Sequence, residues 1–102
     1  MKTIKESDYK KLVIESNKPV LIDFYADWCG PCKKMSSVLD TLAEEYKDKA
    51  DIYKINADEC ENLTAELNVI SLPTIVFFKN GKETERLMGL QSIEKIRNIL
   101  NK

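Results

Sequence analysis

The chain has 102 residues, a length that holds one domain over residues 1–102 and buries a core without disulfide or metal staples. Hydrophobic residues make up 43% and charged residues 32%, which excludes a disordered chain. A net charge of −1 argues against nucleic acid as a partner, and the lack of histidine excludes Cys-His or Ser-His catalysis and any His-ligated metal.

The segment Met1–Glu6 lacks the apolar centre of a signal peptide, and no apolar run approaches membrane-spanning length. A cytoplasmic protein that does not engage a membrane is therefore expected. Residues 2–5 read as a short edge strand. Ser7 to Ser16 reads as a helix with Tyr9, Leu12, Val13 and Ser16 on one face, and Asn17-Lys18-Pro19 breaks it. Val20 to Tyr25 is almost continuously apolar, the pattern of a central strand covered on both faces. Pro31 to about Tyr46 is helical, with Met35, Val38, Leu39, Leu42, Ala43 and Tyr46 along one stripe.

Asp51 to Asn56 is a further strand, and Glu59 to Leu67 a short helix. Thr74 to Phe78 is a β-branched and aromatic strand. Asn80-Gly81 signals a two-residue hairpin into a strand from about Glu83 to Met88. Ser92 is placed to cap a last helix with Ile93, Ile96, Ile99 and Leu100 facing inward. The order β-α-β-α-β-α-β-β-α predicts an α/β fold. Its central mixed sheet is mostly parallel in the core, closes on an antiparallel C-terminal hairpin, and carries helices on both faces.

The chemistry concentrates at Trp28-Cys29-Gly30-Pro31-Cys32, between the central strand and the long helix. The first turn of a helix has backbone N–H groups without partners, and the helix dipole adds positive potential there. Both favour the thiolate of Cys29, making it the nucleophile. Pro31 lacks the N–H that would go unused in that turn. Cys32 lies one residue further into the helix and is expected to be the more buried, resolving thiol. It would close a redox-active disulfide, Cys29–Cys32, with Gly30 and Pro31 setting the strain of the ring and hence its potential. The rival reading is half of a zinc site, but four ligands are needed and only Cys60 remains, so no metal is expected. Cys60 itself lies among Asp58, Glu59 and Glu61, whose charges disfavour a thiolate, and reads as an inert small residue.

These residues resemble the thioredoxin family, whose active-site motif is this pentapeptide. The resemblance extends to Asp23-Phe24-Tyr25-Ala26, Lys54, Leu72-Pro73-Thr74, Lys79-Asn80-Gly81 and Gly89. It implies the thioredoxin fold and its strand order. It implies a cis bond before Pro73, which base rates alone would not suggest. It implies a client-binding surface of Trp28, Leu72, Pro73 and Gly89, in which the Leu72 backbone pairs with an extended substrate segment. Two positions depart from the familiar pattern: Ser37 stands where many members have a helix-kinking proline, and Ser71 where a glycine is common.

Asp23 is a carboxylate inside an apolar strand and must be paired, hydrogen-bonded or neutralised. It can serve structure, as partner to a buried polar group. The resemblance implies a second role, proton acceptor for Cys32, with Lys54 as its partner. Lys54 can equally be a lysine with a buried stem and an exposed ammonium.

The function that follows is a protein-disulfide reductase and electron carrier with no bound cofactor, acting as a monomer. The resemblance implies recycling by a thioredoxin reductase, NADPH- or ferredoxin-linked. It also implies clients such as ribonucleotide reductase, peroxiredoxin and methionine sulfoxide reductase. Two other classes remain open: a binding subunit with idle thiols, and an oxidant or isomerase. The Gly-Pro insert and the leaderless start argue against the last.

Overall fold

The computed structural model describes residues 1–102. Five strands form one sheet in the order β1-β3-β2-β4-β5: β1 (Lys2–Thr3), β2 (Val20–Tyr25), β3 (Asp51–Asn56), β4 (Thr74–Lys79) and β5 (Lys82–Met88). β1, β3 and β2 run parallel, while β4 and β5 are antiparallel to their neighbours. This is the mixed sheet expected, with the apolar run Val20–Tyr25 as its middle strand.

Alternation along β2 sends side chains to two cores. Leu21 joins Met35, Leu39 and Leu42 of α1 (Gly30–Glu45) and Ile96 and Ile99 of α3 (Ile93–Leu100). Val20, Ile22 and Phe24 join Val13, Cys60 and Leu63 on the opposite face, under the N-terminal segment and α2 (Glu61–Glu66). Asp23 falls on the α1 face by the same alternation. α3 is tied to α1 by Arg97, which donates two hydrogen bonds to Glu45 at 2.8 and 2.9 Å. Ser92 caps α3 as expected, its Oγ accepting from the Lys95 N–H at 3.2 Å.

Three boundaries differ from expectation. The helix expected over Ser7–Ser16 is a 3-10 turn at Glu6–Asp8 followed by a π-helical turn at Lys10–Ile14, where the Glu15 N–H donates to the Lys10 carbonyl at 2.9 Å. It still buries Val13 and packs Tyr9 and Leu12 inward, so tertiary burial keeps the apolar face while the backbone ladder widens. α2 is shorter than Glu59–Leu67 because the chain there is occupied by a side-chain turn: Asn56 Oδ1 accepts from the N–H groups of Asp58 and Glu59 at 2.9 and 3.3 Å. The first strand keeps only Lys2–Thr3.

The hairpin is as expected. Asn80 and Gly81 have φ of 51° and 79°, the pair of positive angles that a tight two-residue β-turn needs. α1 continues unbroken across Ser37, whose carbonyl accepts from Thr41 Oγ1 at 3.3 Å.

Candidate active site

β2 ends at Tyr25, and the chain turns sharply, with the Cys29 N–H donating to the Ala26 carbonyl at 3.2 Å. Cys29 then caps α1. Its backbone is extended (φ −89°, ψ 108°), and its Sγ accepts from the Cys32 N–H at 3.2 Å. Pro31 occupies the first turn, where its missing N–H costs nothing. Cys29 and Cys32 are joined as a disulfide with Cα atoms 5.3 Å apart. Both are buried, at 5% and 2% exposure, so Cys32 is the more buried only by a small margin. They pack with Ala26, Tyr25 and Leu72 in a small cluster at the end of the sheet.

Leu72 arrives on a loop whose bond to Pro73 is cis. The Pro73 carbonyl accepts from the Gly89 N–H at 2.8 Å, and Thr74 Oγ1 donates to the Ser71 carbonyl at 2.6 Å. Gly89 has φ of +83°, a region in which side chains with a Cβ are strained. Around these residues Trp28, Ile70, Met88 and Leu90 expose apolar side chains, Trp28 at 72% and Ile70 at 89%.

Asp23, in the middle of β2, is at 0% exposure, and neither of its carboxylate oxygens has a hydrogen-bond partner. Burial pushes its carboxyl up to about 7, against an opposing pull from Lys54. Lys54 is its register partner on β3, yet the two form no direct ion pair. The ammonium instead lies 5.1 Å from the centre of the Tyr25 ring. A cavity of about 100 Å³, lined by Tyr25, Ala26, Asp27, Cys32, Lys33, Ser36 and Lys54, opens beside Cys32.

The sequence profile of the Thioredoxin family matches residues 1–102, with the disulfide-bonded pair in the Cys-x-x-Cys position. The chain belongs to the thioredoxin family. The "Thioredoxin" of Rickettsia felis is 41% identical over 97% of this chain and 94% of its own length. The "Thioredoxin M-type, chloroplastic" of Spinacia oleracea is 45% identical over 84% of this chain, which spans only 48% of that protein. "Thioredoxin-T" of Drosophila melanogaster is 46% identical over 91% of this chain and 59% of its own length. With its cysteine pair opening a helix, this thioredoxin is a protein-disulfide oxidoreductase.

Two residues that sequence reasoning missed support the thioredoxin site from outside. Asp58 accepts the Trp28 indole N–H at 2.9 Å, and is itself placed by the Asn56 turn. Only an aspartate in a turn after a strand was visible in sequence. Arg86 of β5 donates to the Leu67 and Asn68 carbonyls at 2.7 and 3.2 Å, pinning the loop that leads to Leu72-Pro73, while Glu83 holds its guanidinium at 2.8 Å. Nothing local to Arg86 signals that contact. Cys60 is buried at the N-cap of α2, and its thiol is pushed up mainly by burial, with the charges of Glu6 and Glu59 adding to the effect and a backbone hydrogen bond at Glu6 opposing it.

Proposed function

We propose that this thioredoxin reduces client disulfides, with Cys29 as nucleophile, Cys32 as resolving thiol and Asp23 as proton acceptor. The observation that carries the reading is the Cys32 N–H directed at Cys29 Sγ, at the N-terminus of α1. In the dithiol form that contact and the helix end favour a thiolate on Cys29. The Cys29 thiolate attacks one sulfur of the client disulfide. The client S–S bond breaks, its second sulfur leaves as a thiolate and takes a proton, and a Cys29–client mixed disulfide remains. Cys32 gives its proton to the Asp23 carboxylate and attacks Cys29 Sγ. The Cys29–client bond breaks, the client leaves fully reduced, and the Cys29–Cys32 disulfide holds the two electrons' worth of oxidation.

A carboxyl poised near 7 suits this exchange, since it can both take and return a proton at neutral pH. The Lys54 charge opposes the upward push of burial on that carboxyl. Gly30 and Pro31 set the ring that fixes the potential. Trp28, Leu72, Pro73 and Gly89 form the client surface, the free Leu72 backbone pairing with an extended segment. A thioredoxin reductase, NADPH- or ferredoxin-linked, returns two electrons and two protons. Ribonucleotide reductase, peroxiredoxin and methionine sulfoxide reductase are the expected clients. The protein works as a single domain and a monomer in the cytoplasm.

The test is reduction of insulin with NADPH and its reductase in one arm, and reduced ferredoxin and its reductase in the other. Turnover in one arm identifies the donor. No turnover in either, nor with dithiothreitol, would leave a binding module with idle thiols.

A further inference from the structure

Asp23 and Lys54 sit opposite each other on adjoining strands, yet the Asp23 oxygens are unpartnered and the Lys54 ammonium lies over the Tyr25 ring. Tyr25 follows Asp23 by two residues, so both project from the same face of β2, with Tyr25 nearer the strand end. Tyr25 and Lys54 then meet at the cavity beside Cys32. The ammonium of Lys54 is thus placed over the face of an aromatic ring rather than in hydrogen-bond contact with Asp23.

We infer that Tyr25 is a positioning residue: its ring holds the Lys54 ammonium at the cavity, out of hydrogen-bond contact with the Asp23 carboxyl, and so sets the pH at which that carboxyl takes the proton of Cys32. The inference rests on the acceptor role of Asp23 proposed above. An ammonium within about 4–6 Å of a carboxylate lowers its titration by about one to three pH units. Full pairing with Lys54 would therefore leave Asp23 ionised well below neutrality and a weaker base toward Cys32. With Lys54 on Tyr25, its charge still pulls the carboxyl down, but burial outweighs that pull and the carboxyl stays near 7. The other titratable or charged groups on the cavity are Asp27 in the turn after β2, and Cys32 and Lys33 on α1. The flanking strands present Thr3 opposite Lys54 and Ile75 opposite Asp23, neither of which titrates.

The experiment is carbon-13 NMR titration of the Asp23 carboxyl in the reduced protein and in Tyr25→Phe and Tyr25→Leu. Tyr25→Phe keeps the ring and should keep the midpoint. Tyr25→Leu should lower it by about one pH unit, the smaller end of the effect of a nearby ammonium. In a Lys54→Gln background, Tyr25→Leu should produce no such fall. An unmoved midpoint in Tyr25→Leu, or an equal fall without Lys54, would overturn the inference. Should Tyr25→Leu fail to fold, the unaltered protein still decides. Its Lys54 ε-methylene protons should be shifted upfield by the ring, and ordinary shifts would sink the idea. The pH profile of mixed-disulfide resolution reads the acceptor role separately. A carboxyl midpoint that moves while that profile stays put would overturn the role of Asp23, whereas an unmoved midpoint overturns the role of Tyr25.

Discussion

The backbone N–H of Cys32 donates to the Sγ of Cys29 across 3.2 Å, so the sulfur at the helix cap is held by the backbone of the cysteine it is bonded to. The relationship is asymmetric, because Cys29 caps the helix while Cys32 is inside it. Cys29→Ser should therefore abolish reduction of a protein disulfide. Cys32→Ser should still attack and then stall, accumulating covalent adducts visible by mass spectrometry. Equal adduct yields from the two variants would reverse or remove the assignment.

Asp23 should cost stability at neutral pH. Its carboxyl stands at about 7 in the fold and about 3.9 in the unfolded chain. The folded state thus binds the proton more tightly, and its advantage is full below the unfolded value and lost as pH climbs to 7. At about 1.4 kcal/mol per pH unit of displacement, the wild type should lose about 2–3 kcal/mol relative to Asp23→Ala between pH 5 and pH 8. The cavity left by the substitution shifts both values together and cancels in that comparison. Denaturant unfolding at the two pH values measures it. A difference that does not change with pH would mean the carboxyl is ionised throughout, and one that grows by about 4 kcal/mol would mean it stays neutral to pH 8.

Trp28 is mostly exposed and has one polar anchor, Asp58. Asp58→Ala should free the indole and lower kcat/KM for a protein disulfide by about two- to fivefold, the effect of a net hydrogen bond of about 0.5–1 kcal/mol. If Trp28 forms part of the client surface as proposed, the loss should fall in KM rather than in kcat. Asp58→Asn retains an acceptor oxygen and should restore most of it. A fall in kcat alone would place Asp58 in the chemistry instead.

Gly81 carries a positive φ, and a Cβ there would run into the Ile14 carbonyl of the N-terminal segment. Gly81→Ala should destabilise the fold by about 1–3 kcal/mol, since strain and clash add. Activity per folded molecule should not change, because the hairpin lies away from the cysteines in the chain. Unfolding midpoints and insulin reduction measured on the same samples check both halves.

Much of this protein is written locally. The run Val20–Tyr25 is apolar on both faces because the middle strand is covered on both, so its place in the sheet was legible. Asn80-Gly81, the Ser92 cap and the Cys29-Gly30-Pro31-Cys32 helix start were legible because each depends on neighbours within a few residues. Only the tertiary structure decided where Lys54 points, since an ammonium between a buried carboxyl and an aromatic face responds to both, and sequence shows neither distance. The same holds for Asp58 on Trp28 and Arg86 on the Leu67 and Asn68 carbonyls, contacts that span 30, 19 and 18 residues. The widened turn at Lys10–Ile14 belongs with them. Local spacing specifies which residues must be buried there, but the surface they are buried against sets the backbone that delivers them.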